Sequence, residues 1–220
     1  MAPDPYIIAI DGPSASGKST NARLIARALG CAYVDTGAMY RTLAWYCLRQ
    51  GVPADDAAAV AATCRDWPAR LACVDGHVRL LVEGYFPEKE IRTAEVSALV
   101  PRIAAVPQVR DWMKSHQRDC TRFGNLVMEG RDIGTVIFPE TPLKFYLDAA
   151  AEVRQARREA DGVQDNLAER DQRDRQRPVA PLAIAPDAIL INNAGQTPQQ
   201  TSERILSEIR RIRALQPSAS

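Results

Sequence analysis

Short runs of apolar and β-branched residues alternate along this chain with longer stretches in which apolar side chains recur every three or four positions. The first run, Tyr6–Ile10 (YIIAI), is apolar throughout, as a strand buried on both faces requires. After it, Leu24, Ile25, Ala28 and Leu29 share one helical face, and Gly30 predicts the stop. Cys31–Val34 predicts a second strand that ends at Asp35, and Gly37–Gly51 a helix closed by its glycine. Residues 55–66 (DDAAAVAATCRD) read as helix through their alanines.

Between Trp67 and Arg92 the period changes. Two runs with β character meet at Asp75-Gly76, a hairpin signal, and a hairpin within a strand–helix alternation reads as an insertion. Residues 93–125 return to helix, broken at Pro101 and Pro107, the second placed to open a new helix. Leu126–Met128, Leu143–Ala149 and Ala188–Asn192 predict further strands. Thr197-Pro198-Gln199-Gln200 joins a capping box to a proline at the first helical position, and Ile205, Leu206, Ile209 and Ile212 form the apolar face of a final helix. Five strands alternating with helices predict an α/β fold: a five-stranded parallel sheet with helices on both faces, in one domain over residues 1–220. The tail QPSAS is expected to fray.

Composition narrows the function. The chain is 46% hydrophobic, enough for a real core. Its 28 basic and 27 acidic residues leave a net charge of +1, which speaks against a nucleic-acid binder working by bulk attraction. None of the five cysteines (Cys31, Cys47, Cys64, Cys73, Cys120) has C-x-x-C spacing, so buried free thiols are expected. The N-terminus lacks the basic and apolar regions of a signal peptide, and no run approaches the ~18 apolar residues of a membrane span. A cytoplasmic, soluble monomer with neither membrane nor nucleic-acid partner is the expectation.

The chemistry begins at DGPSASGKST, residues 11–20. Gly12, Gly17, Lys18 and Ser19 occupy the spacing of a phosphate-binding loop, and Pro13, Ser14, Ala15, Ser16 and Thr20 complete it. The glycines let backbone amides converge, the following helix adds its positive end, Lys18 reaches the β/γ-phosphates and the Ser19 hydroxyl ligates Mg²⁺. A strand before the loop and a helix after it distinguish this from a chance glycine turn. ATP and Mg²⁺ are the implied ligands.

Switches, motors and small-molecule kinases share such a cradle. The N-K-x-D guanine reader of a switch is absent, since the fifth strand runs into LINNAG, and 220 residues hardly hold a motor's extra domains. A kinase needs a second anion site. Arg41 and Arg131 each follow a predicted strand, where ligands bind in parallel sheets. Seven arginines and six acids fill residues 154–177. Two readings of that run stay open: a solvated helix laced by pairs such as Glu169–Arg173, or a mobile arginine-bearing lid. His77 and His116 carry no visible chemistry.

Six motifs in series, IDGPSASGKST, DTGAMYR, EIRT, EGRDIGTVIFP, LKFYLDA and RDQRDRQRPVAPL, resemble those of bacterial cytidylate (CMP) kinases, P-loop nucleoside monophosphate kinases, over nearly the whole length. The resemblance implies phosphorylation of CMP or dCMP by ATP with Mg²⁺, a partly β monophosphate-binding insertion near residues 60–103, and a lid near 154–178. It places Thr36, Arg41 and Arg131 at the acceptor phosphate and Arg110 and Asp132 at the cytosine. Asp174 and Arg177 fall at the pentose, and Arg170 where phosphate charge is neutralised. Lys18, Arg131 and Arg170 become the residues that stabilise transfer. Read without it, Arg110 is a solvated arginine beside a buried stripe of Val109, Trp112, Met113 and His116, Asp132 a cap on the next segment, and Tyr40 a core residue. A kinase for another small acceptor, a different monophosphate or shikimate, is the alternative. Pro101 stands where some relatives have a base-contacting hydroxyl, and Asn192 where an acid is expected after the last strand.

Overall fold

The computed structural model describes residues 5–160, 171–172, 174–176 and 179–215. Its strands are β1 (Ile7–Asp11), β2 (Ala32–Asp35), β3 (Ala69–Val74), β4 (His77–Val82), β5 (Leu126–Gly130), β6 (Leu143–Asp148) and β7 (Ile189–Asn192). The helices used below are α1 (Lys18–Leu29), α2 (Thr36–Arg49), α3 (Ala57–Asp66), α4 (Ala94–Ile103), α5 (Pro107–Asp119), α6 (Ala151–Ala160) and α7 (Pro198–Leu215). The seven strands follow the order β3-β4-β2-β5-β1-β6-β7, mostly parallel, against the five expected. The chain divides into two compact units, residues 1–33 with 124–220, and residues 34–123; the expected insertion at 60–103 lies inside the second.

In the first unit β1 is flanked by parallel partners, Ile8 opposite Val127 of β5 and Leu143 of β6, and β7 extends the edge with Ile189 opposite Phe145. Every residue of β1 and β5 is buried, which is why these runs carry no polar alternation. The core joins Ile8, Ile10, Val127, Phe145, Leu147 and Ile191 of the sheet to Ala22 and Ile25 of α1 and to Ile205, Leu206 and Ile209 of α7. Helix ends follow sequence chemistry. Gly30 closes α1 at φ 64°, its N–H bonded to the carbonyls of Ala26 and Arg27. The Thr197–Gln200 box forms reciprocally: Gln200 N–H donates to Thr197 Oγ1 at 3.2 Å and Thr197 N–H to Gln200 Oε1 at 2.9 Å.

In the second unit the hairpin closes at Asp75 and Gly76, both at positive φ, with Val74 opposite His77. Trp67 packs on Tyr46 at 5.9 Å and on Trp112 at 5.1 Å between ring centroids. Asp35, Asp56 and Thr93 cap α2, α3 and α4 with their side chains. Two expectations are corrected. Pro101 does not break the helix but sits within the last turn of α4, whose end is closed by Ala104 N–H on the Val100 carbonyl. A proline there forgoes a single hydrogen bond. Cys73 is exposed on β3, while the other four thiols are buried; all five are free. Among the described residues no helix is long and apolar enough to cross a membrane.

Candidate active site

The sheet register of the first unit places the phosphate loop. Asp11 is opposite Gly130 of β5 and Tyr146 of β6, so the loops leaving β1 and β5 start side by side at the carboxyl edge. The loop at 12–17 then turns through conformations that few side chains tolerate: φ is 151° at Gly12, 58° at Ala15 and 87° at Gly17. A Cβ on Gly12 would stand 2.1 Å from the Leu147 carbonyl oxygen, so only glycine lets β1 leave this close to β6. Gly17 is the N-cap of α1, with no capping side chain and no acid in the first turn, so the helix's positive end is left for an anion.

Lys18 is buried, its ammonium folded back on the loop and donating to the Pro13 carbonyl at 2.6 Å. Burial pulls its pKa down to about 7, the Arg131 guanidinium adds to the fall, and the carboxylates of Glu129, Asp11 and Asp174 oppose it. A polyphosphate would add to the countercharge of these carboxylates.

Two acids define the loop's neighbours. Glu129, at the end of β5 and buried, accepts the Ser19 hydroxyl at 2.9 Å on Oε2 and the Tyr33 hydroxyl on Oε1. A hydroxyl beside a carboxylate is a hard-oxygen donor set that fits Mg²⁺. Sequence reading missed Glu129 because the strand was expected to stop at Met128; an acid closing a buried strand beside a phosphate loop was the available signal. Asp11 accepts Ile133 N–H at 2.9 Å and Gly134 N–H at 2.8 Å, one on each carboxylate oxygen. Burial lifts its pKa to about 6 against these two donors, with Asp132 raising it further and Lys18 lowering it.

Asp11 therefore does the capping expected of Asp132. The Asp132 side chain makes no cap bond to the segment it precedes, although its main-chain carbonyl accepts Val136 N–H at 2.9 Å. Its buried carboxyl lies instead on a loop held in place by another strand. Arg131, next in the chain, donates from Nε to Asp174 at 2.8 Å and from Nη1 to its neighbour Gly130 at 3.3 Å. Asp174 is itself buried, and the expected phosphate and pentose residues form an ion pair with each other.

The arginine run enters here too. Arg154 of α6 is buried and donates to the Ser14 carbonyl at 3.1 Å and to Asp171 at 2.6 Å. Arg157 donates to the Ala15 carbonyl at 3.3 Å. These first arginines of the expected lid thus grip the phosphate loop. Arg170 and Arg177 lie outside the described residues. Asn192, flagged as a departure, is exposed; its neighbour Asn193 is buried against the loop.

The second unit holds the other expected acceptor residues. Asp35 caps α2 through Ala38 N–H at 2.8 Å and with its other oxygen holds Arg41 Nη2 at 3.0 Å. Arg41 Nε is buried with no hydrogen-bond partner, a donor in want of an acceptor. Thr36 is buried at the start of the same helix. Arg110 is 8% exposed, donates to the Ala104 carbonyl at 3.4 Å and lies 5.9 Å over the Tyr40 ring, so the solvated placement is corrected. Gln117, not His116, continues the buried stripe of α5.

A buried lysine in a glycine-flanked loop between strand and helix, with a hydroxyl–carboxylate pair beside it, is the cradle of a P-loop protein. Comparison with known proteins then narrows the class. The cytidylate kinase family model matches residues 8–211. The cytidylate kinase of Symbiobacterium thermophilum is 41% identical, covering 93% of this chain and 96% of its own. That of Bordetella bronchiseptica is 43% identical over 91% and 93%, and that of Geobacter sulfurreducens 39% identical over 97% and 96%. The chain belongs to the cytidylate kinase family.

Proposed function

We infer that this chain transfers the γ-phosphoryl group of ATP to the phosphate of CMP, or dCMP, giving ADP and the corresponding diphosphate. Family membership supports the reaction, and Arg41 is the observation that carries it: a guanidinium braced by Asp35 with a buried unpartnered Nε is a second anion holder, away from the phosphate loop in sequence. A nucleotide switch has no use for one. A kinase acting on shikimate or another monophosphate finds no support in the family match.

Residues 12–20 are assigned to the triphosphate of ATP. Lys18 unfolds from the Pro13 carbonyl onto the β/γ-phosphates, regaining full charge among the phosphate oxygens. Ser19 and Glu129 are the residues that would hold Mg²⁺, which when bound neutralises charge between the β- and γ-phosphates. Thr36, Arg41 and Arg131 orient the acceptor phosphate, and Arg131 exchanges its pairing with Asp174 for phosphate oxygen, releasing Asp174 toward the pentose. Arg110 and Asp132 read the cytosine; a carboxylate accepts from the exocyclic amine that uracil lacks. Arg170 and Arg177 are assigned, from the resemblance alone, to phosphate neutralisation and pentose contact on a lid that excludes water. The acceptor phosphate is already anionic at neutral pH, so no general base is needed, and catalysis is alignment plus charge stabilisation.

The test is a coupled ADP-release assay over a panel of CMP, dCMP, UMP, AMP, GMP and shikimate. ADP release driven by CMP and dCMP well above the rest is the expected result; a preference for any other acceptor, or release independent of acceptor, refutes the assignment.

A further inference from the structure

Amide N–H groups can converge on a phosphate only if the carbonyls of the same peptides point the other way, and buried carbonyls need donors of their own. Three consecutive carbonyls of the loop find them in side chains from outside it. Ser14 O accepts Arg154 Nη1 at 3.1 Å, Ala15 O accepts Arg157 Nη1 at 3.3 Å, and Ser16 O accepts Asn193 Nδ2 at 2.8 Å. Asn193 is 2% exposed and ties two of the three donors, its own amide and Arg157, together. Its Oδ1 accepts both Arg157 Nη1 at 3.2 Å and Nη2 at 3.3 Å, which fixes the amide orientation, because a flip would set N–H against N–H. Its main-chain N–H is bonded to the Asp148 carbonyl at the end of β6, and its carbonyl accepts Arg157 Nη2 at 3.3 Å. Gly17 leaves the room: a Cβ there would stand 3.2 Å from Asn193 Nδ2.

We propose that Asn193 is a positioning residue for ATP binding: with Arg157 it holds the outward carbonyls of the phosphate loop so that the inward amides are set before the nucleotide arrives. This rests on the reading of residues 12–20 as the triphosphate cradle. The loop needs such a hold because Ala15, with a Cβ, sits at φ 58°, a left-handed conformation that only surrounding contacts sustain. Asn193 touches none of the reacting groups. Its effect is on how much of the loop stands ready, and so falls on nucleotides with a β-phosphate and spares CMP.

Asn193→Asp separates this from a structural role. It keeps an acceptor for Arg157 but turns an oxygen toward the Ser16 carbonyl. In the full-length protein, calorimetric titration of ATP without CMP is expected to show affinity lowered about tenfold, the worth of a neutral amide–carbonyl hydrogen bond replaced by repulsion between two oxygens. CMP affinity measured the same way stays within about twofold, since no loop amide serves it. If Asn193→Asp does not fold, Asn193→Ala carries the same expectation. Equal losses for ATP and CMP that follow a fallen melting temperature overturn the proposal. Lys18→Ala serves as the reference. Normal ATP affinity in Asn193→Asp, with affinity lost in Lys18→Ala, refutes the positioning role alone, whereas normal affinity in Lys18→Ala refutes the cradle itself.

Discussion

Replacing Asp11 with asparagine sets two physical effects against each other. Two backbone donors at 2.9 and 2.8 Å favour the carboxylate anion, and burial disfavours it. If burial wins, the pKa rises from 3.8 to about 6, worth about 3 kcal/mol at roughly 1.36 kcal/mol per pKa unit. The sign follows from proton counting. Between those pH values the folded chain holds a proton that the unfolded chain has released, so this group's contribution to stability falls as pH rises and levels off above about 7. Asp132 and Lys18 face the same carboxyl, one raising and one lowering its pKa, and both stay in the variant. The substituted amide cannot titrate. The stability of the parent minus that of Asp11→Asn, from urea unfolding followed by circular dichroism, should therefore fall by about 2 kcal/mol between pH 4.5 and 7.5. A difference that grows with pH would show that the amides of Ile133 and Gly134 outweigh burial, and would refute the reasoning.

The other predictions use simpler perturbations. Gly12→Ala puts a methyl 2.1 Å from the Leu147 carbonyl oxygen, and should cost about 3 kcal/mol or more of stability as well as nucleotide binding; a melting temperature like the parent's would contradict the close approach. Lys18→Ala should lower kcat by orders of magnitude in steady-state assays, and near-normal turnover would remove the lysine from transfer. Arg41→Ala should raise KM for CMP at least about tenfold while leaving KM for ATP nearly unchanged, as the acceptor role proposed for the guanidinium requires; a parallel rise for both would mean a folding effect. Asp132→Ala should shrink the ratio of kcat/KM for CMP over UMP, and an unchanged ratio would exclude it from reading the base.

Features whose cause is local were legible in the sequence. The phosphate loop shows itself because glycine, lysine and serine are needed at fixed offsets. The capping box at Thr197 and the hairpin at Asp75-Gly76 depend on a few adjacent residues. What escaped depends on distant parts of the chain. Asp11 caps a segment that begins 122 positions later, a contact no local pattern encodes. Arg110 falls on the buried side of α5, beside Tyr40 and the Ala104 carbonyl, because its partners sit on other elements; periodicity alone had assigned that side to Trp112 and His116. Attention to Asn192, the exposed last residue of β7, stopped one position short of Asn193, which is buried just past the strand and bonds the Ser16 carbonyl. Arg154 and Arg157 read as lid cations by composition, and only the fold of α6 against the loop shows them holding carbonyls.

Label transfer tests the central claim most directly. Incubated with CMP and with ATP carrying isotope in its γ-phosphate, the protein should place the label in the β-phosphate of CDP, with ADP in equal amount and no label in inorganic phosphate beyond a trace. Label collecting in inorganic phosphate while CMP stays unphosphorylated would contradict the account.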